Sequence, residues 1–334
     1  MKSLTITATL LSTITFIAQA EINVVASVKP VHSLVSAVME GIGVPDLIVK
    51  GAASPHTYSL KPSQAEQIEK ADLVFWMGHS LETFLEKPLE ALGTKAMVVE
   101  LMDSEGLKKL KMREGGGFDD HDHDEHDDHD DHDEHDEHDD HDEHDEHDEH
   151  SKESHDEHGH GEFDVHVWLD PENAKVMANE IMEALKKVDP GNAKKYETNT
   201  KKVVAKLNRL VAEISAELSP AKGKGFIVFH DAYQYFEERF GLKAVGSITV
   251  SPEVVPGVKR IKELRTKIKE LNALCVFSEP QFKPQLVSTV VEGTKAKTGV
   301  LDPLGASIQN GPKLYFFLIR DMANSLNKCL SNKA

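Results

Sequence analysis

The sequence predicts an α/β fold in two domains, each a parallel sheet covered by helices on both faces. Three observations carry this. Short apolar runs alternate with amphipathic stretches, the pattern of repeated βα units. The same alternation restarts after a central interruption. The chain's 334 residues suffice for two domains of ordinary size.

Taken in order, Lys2, the apolar or hydroxylic stretch Leu4 to Ala18 and the small-x-small triplet Ala18-Gln19-Ala20 fit a secretory signal peptide over 1–20, cleaved before Glu21. No later stretch reaches the roughly 18 apolar residues needed to span a bilayer. INVVAS (Ile22 to Ser27) reads as a strand, and Pro30 stands in the first-turn position of the helix that follows. DLIVKG, DLVFWMG and AMVVEL read as three more strands, separated by helical PSQAEQIEKA and LETFLEKPLEAL. These fill an N-terminal domain over 21–170. DVHVWLDP is expected to hold a short strand, with a helix opening near Pro171 and ending at Asp189-Pro190-Gly191. A long amphipathic helix then runs to Pro220. The strands GFIVFHD, KAVGSI, ALCVFSEP and TGVLDPLG, with helices between and after them, fill a C-terminal domain over 191–334. Two such domains joined by helix form a cleft, and clefts between domains hold small ligands.

Residues 115–161 break the pattern. Gly115-Gly116-Gly117 and Gly159-His160-Gly161 flank a segment of low complexity and high charge, expected to be a disordered loop. It also dominates the net charge of −19. Between Asp119 and His160 lie 24 acids and one Lys, which leaves 33 acids against 37 bases elsewhere. The remainder is therefore near neutral, and the acidic run would repel phosphate, so no nucleic-acid partner is expected.

Fourteen of the 19 histidines fall in this segment. His121, His123, His126, His129, His132, His135, His138, His141, His144, His147 and His150 stand among carboxylates, from His123 onward at every third position. They offer many overlapping nitrogen and oxygen donors, none preorganised, and are expected to be weak auxiliary metal sites whose neighbouring carboxylates favour the protonated ring in acid. A solubilising spacer would not need that strict period.

Five histidines remain. His56 lies in a turn region after the second strand, His166 in DVHVWLDP and His230 at the end of the very apolar GFIVFHD. Ligands of open α/β sheets collect at the carboxyl ends of strands. Three imidazoles converging there would make a zinc shell, with Asp302 of TGVLDPLG as a fourth, oxygen ligand. His79 is expected to be structural or solvent-facing, His32 a cap or surface residue, and Trp76, Trp168, Tyr233 and Phe236 packing residues. Glu279 of ALCVFSEP is a candidate to orient a ligand imidazole from behind. Cys275 and Cys329 are the only cysteines. In an exported protein a disulfide is the natural reading, and a zinc-thiolate ribbon would need C-x-x-C pairs that are absent. The metalloprotease signature H-E-x-x-H is absent too, since no His precedes a Glu, and so is G-x-S-x-G; no enzyme is expected.

SPHTYSLKPSQ, DVHVWLDPENA, FIVFHDAYQYF, CVFSEPQF and LDPLG, in this order, resemble the periplasmic zinc-binding subunits of bacterial ABC importers (ZnuA type), within the cluster of metal-specific solute-binding proteins. The resemblance runs through essentially all of the mature chain. It implies two (βα)4-type domains joined by a long rigid helix, with the metal held at their interface and an acidic His-rich loop in the first domain. The linking helix is expected over 171–190, with the longer helix after Pro190 as the alternative. The family's ligands fall on His56, His166 and His230. Manganese-binding relatives carry Glu at the position of His230, so three imidazoles imply Zn2+. Some zinc-binding relatives carry Glu just before the first ligand His; here that residue is Pro55, which leaves Asp302, or a water, for the fourth position, with Asp302 expected. The implied partners are a zinc ion and a membrane permease with its cytoplasmic ATPase. The chain is expected to act in the periplasm as a monomer.

Overall fold

The computed structural model describes residues 22–113, 118, 162–249, 252, 256–270 and 273–331. The expected signal peptide and the histidines from His121 to His150 lie outside them. Two four-stranded parallel sheets organise the described chain.

In the first half, β1 (Val24–Ala26), α1 (Lys29–Val38), β2 (Asp46–Leu47), α2 (Pro62–Glu69), β3 (Leu73–Trp76), α3 (Glu86–Leu92) and β4 (Met97–Glu100) follow in sequence, and the sheet order is β2-β1-β3-β4. Pro30 and Pro62 each stand in the first turn of their helices, where a missing N–H costs nothing. Two helices come next, α4 (Pro171–Val188) and α5 (Ala193–Leu218), which pack on one another. The second half repeats the first: β5 (Phe226–Val228), α6 (Gln234–Phe240), β6 (Ala244–Ser247), α7 (Val258–Glu270), β7 (Cys275–Ser278), α8 (Gln285–Val291), β8 (Lys297–Val300) and α9 (Leu314–Leu330), in the order β6-β5-β7-β8. Equal permutation places a topological switch point between β1 and β3 in one sheet and between β5 and β7 in the other. One apolar core runs from β1 and β3 through α1, α4 and α5 to β5 and α9, and a smaller cluster covers the other face of the second sheet around Ile227, Val276 and Leu264.

The link between the halves is expected over the segment 171–190. It forms α4, packed on α1 and β3 of the first sheet, with Asn173 bonded to the Lys108 backbone. The spanning element is α5, 26 residues and so about 39 Å long. Near its start Asn199 donates to the carbonyls of Val38 and Glu40, and near its end Glu213 pairs with Arg320 of α9. This longer helix after Pro190 is the alternative the sequence offers for the link.

The strand expected in DVHVWLDP is absent. Asp164 Oδ1 accepts the backbone N–H of His166 at 3.0 Å, which closes a turn, and Val167–Leu169 continues as a 3₁₀ turn. A short polar side chain has here outbid the ladder that Val165 and Val167 suggested. Among the described residues the extended pairing nearby is one antiparallel bridge, Lys111 with Phe163, on either side of the His-rich segment.

Cys275 of β7 and Cys329 of α9 are joined by a disulfide, with Cα atoms 6.2 Å apart.

Candidate metal centre

Three loops bring three histidines together. His56 sits in the 3₁₀ turn Pro55–Thr57 beyond β2, where Pro55 presets the first φ. His166 is held by the Asp164 turn, and His230 lies two residues past β5. Ring centroids are 5.5 Å apart for His56 and His166, 5.7 Å for His56 and His230, and 5.2 Å for His166 and His230. One ligand-capable atom from each of the three lies within 4.8 Å of the others, and among the described residues no other group of three does so.

Carboxylates set the rings. His166 Nδ1 is 2.7 Å from Asp164 Oδ1, and His230 Nδ1 is 2.7 Å from Glu279 Oε1. A carboxylate only accepts, so each Nδ1 carries a proton, and Nε2 is the atom with a lone pair to offer when the ring is neutral. Those two Nε2 atoms face one another at 3.4 Å. Tetrahedral zinc with Zn–N bonds of about 2.05 Å would set its nitrogens roughly 3.3 Å apart. Two lone pairs at such a separation repel unless a proton or a cation lies between them, so the donor set fits a metal ion of this size. Burial, then the charges of His166 and His230, lowers the His56 pKa to about 2, which keeps that ring neutral. Burial also acts to lower His230, but the charge of Glu279 and its hydrogen bond outweigh this and raise it. Pro55, Trp168, Phe282, Pro303 and Leu304 wall the cavity, so the polar atoms face one another in apolar surroundings.

Both halves build these walls. Trp168 Nε1 donates to the Pro303 carbonyl at 2.9 Å, and Tyr315 Oη to the Trp168 carbonyl at 2.6 Å. Lys29 donates to the carbonyls of Ala306 and Ile308, both at 2.9 Å. Arg113, just before the His-rich segment, forks onto Asp231 and Glu237 of the second half, and Arg239 onto Asp170 of the first.

Asp302 is not brought into the histidine group. Its Oδ1 accepts from Gln281 Nε2 at 2.9 Å, Leu304 N at 3.1 Å and Gly305 N at 2.9 Å, and its Oδ2 from Ala306 N at 2.5 Å. His79 lies away from the group, edge-on to Trp76 and 3.5–3.6 Å from Glu100 and Glu86. His32 is neither a surface residue nor a cap: it is 5% exposed in α1, with Nε2 3.0 Å from the Pro45 carbonyl. Trp168, Tyr233 and Phe236 are fully buried. Sequence reasoning missed Asp164, although its D-x-H spacing to His166 was the available signal, and it missed Gln281.

Two parallel α/β halves meeting over clustered imidazoles define a two-domain metal-binding protein. Residues 24–329 match the family described as "Zinc-uptake complex component A periplasmic". The high-affinity zinc uptake system protein ZnuA of Brucella suis biovar 1 (strain 1330) is 62% identical over 308 residues, 92% of this chain and 91% of that protein. Its counterpart in Haemophilus influenzae is 40% identical over 320 residues, 93% and 94% of the two chains. The chain belongs to the ZnuA family of zinc-uptake components. Among solved structures, one of ZnuA matches with a TM-score of 0.72 at 24% identity, covering 93% of this chain and 100% of that one. The periplasmic zinc-binding protein TroA of Treponema pallidum matches with 0.70 at 17%, covering 94% and 100%. These last likenesses are of fold.

Proposed function

We propose that this chain is the solute-binding component of a zinc importer, capturing Zn2+ on His56, His166 and His230 and passing it to the permease of an ABC-type transporter. It works in the periplasm as a monomer and catalyses no reaction. The observation that carries the reading is the meeting of the His166 and His230 Nε2 atoms at 3.4 Å, each ring turned inward by its own carboxylate. Neutral imidazoles suit zinc better than magnesium, calcium or manganese. Glu279 and Asp164 raise the basicity of the nitrogens and fix their direction, so little ordering remains when the ion arrives. Ligands drawn from both halves tie occupancy to how the halves sit together, which gives a permease a shape to read. The His-rich segment serves as an auxiliary collector or sensor in addition to this centre.

The test is radiozinc uptake in cells that lack their own zinc-binding component, grown in zinc-poor medium. The wild-type chain restores uptake and His230→Ala does not. Equal uptake with His230→Ala would place capture elsewhere in the chain.

A further inference from the structure

Residues 110–113 and 162–164 belong to the first half in sequence, yet a helix of the second half holds them. The two stretches run antiparallel. Asp164 N donates to the Leu110 carbonyl at 2.8 Å and Met112 N to the Glu162 carbonyl at 3.0 Å, on either side of the Lys111–Phe163 bridge. The hydroxyl of Tyr235, from α6, joins the Leu110–Asp164 end of this pair. It accepts from Leu110 N at 2.9 Å and donates to the Asp164 carbonyl at 2.7 Å. A phenol keeps its proton at neutral pH, and it has one to give and lone pairs to accept with, so both bonds form together with fixed directions. Tyr235 is 1% exposed, so no bulk water competes for either bond.

Asp164 is the residue whose Oδ1 meets both the amide and the Nδ1 of His166. Its backbone is therefore gripped on both sides, the N–H by Leu110 and the carbonyl by Tyr235. Gln234 of the same helix adds a bond to the Lys111 carbonyl at 3.1 Å. That helix begins at Gln234, four residues past His230. The element that continues from one imidazole thus holds the carboxylate that aims another.

Resting on the three-histidine reading, we infer that Tyr235 is a positioning residue for zinc: its hydroxyl, reaching from the second half, holds Asp164 where Asp164 aims the His166 ring. The angle between His166 and His230 is then set by α6 rather than left to how the halves happen to meet. Without the hydroxyl the Asp164 backbone is free to shift, and a shift of about an ångström takes a hydrogen bond out of range.

The test is a cycle on the full chain, with zinc affinity read by chelator competition and the unfolding temperature read alongside. Tyr235→Phe keeps the ring and removes the hydroxyl. It weakens zinc binding about fivefold in the wild-type background, the scale of one neutral hydrogen bond. In an Asp164→Ala background, where the carboxylate it positions is gone, it changes affinity by less than about twofold. In a Glu279→Ala background, which disturbs His230 instead, it keeps its fivefold effect. A second readout leaves Asp164 intact: by nitrogen-15 resonance of the zinc-free chain, the His166 Nδ1 proton exchanges with water faster in Tyr235→Phe while that of His230 does not. No loss in the wild-type background, an equal loss in all three, or unchanged exchange at His166 overturns the inference, since the hydroxyl then only joins the two halves. Undiminished zinc binding by His166→Ala would refute instead the three-histidine reading on which it stands.

Discussion

Glu279 makes the sharpest demand on the account. It is 3% exposed, follows β7 at the switch point of the second sheet, and holds His230 Nδ1 at 2.7 Å. Glu279→Gln keeps the shape and an acceptor oxygen but removes the charge. A hydrogen bond to a charged group contributes about 1.5–3 kcal/mol and a neutral one about 0.5–1.5 kcal/mol, so the change costs on the order of 1–1.5 kcal/mol. That is about a tenfold loss of zinc affinity, at the lower edge of the 10–100-fold typical of groups behind metal ligands. Glu279→Ala removes the bond as well and moves toward about a hundredfold. The assay is competition with a chromophoric zinc chelator at pH 7.5, with unfolding temperature measured alongside. Affinity within about twofold of wild type for both variants would show that the carboxylate does not tune the centre.

Other consequences reach beyond the centre. Arg113→Ala strands Asp231 and the buried Glu237, and urea unfolding should show a loss on the order of 2–3 kcal/mol; a change below about 0.5 kcal/mol would mean the clasp is idle. Glu82 is buried under Ser27 Oγ and the amides of Met77 and Gly78, and burial raises its pKa from 4.5 to about 7. The unfolded chain loses this proton first, so stability is full below about pH 4.5 and falls as pH rises toward about 7. Glu82→Gln mimics the protonated acid, and should exceed wild type in stability by on the order of 3 kcal/mol at pH 8 and by nothing at pH 4; equal curves would contradict it. Replacing Cys275 and Cys329 by Ser opens a link across a sequence separation of 54, and in the chain-entropy model should cost about 4 kcal/mol, read as a lowered denaturation midpoint under oxidising conditions.

Much of this was legible because the signals were local. The eight strands among the described residues followed from apolar runs such as DLVFWMG, which became Leu73–Trp76, buried on both faces. His230 stood out because it ends an apolar run, and His56 because it sits in a turn beyond one. What escaped depended on side chains competing with the backbone. Val165 and Val167 alternate like a strand, but Asp164 captures His166 and bends the chain. His32 reads as a surface residue until the Pro45 carbonyl gives its ring a buried partner. Asp302 has the sequence look of a ligand, and the sequence does not show that the amides of residues 304–306 also turn onto it. Which of two successive helices links the halves stayed open between 171–190 and the longer helix after Pro190, because caps and prolines mark where a helix starts, not which neighbours it reaches.

The most direct measurement is a zinc titration against a competing chelator, on the chain lacking residues 119–160 and on its single His→Ala variants. The account predicts one tight site per chain, greatly weakened by replacing His56, His166 or His230 and little changed by replacing His79. No tight site in the shortened chain, or one that survives replacement of all three histidines, would contradict it.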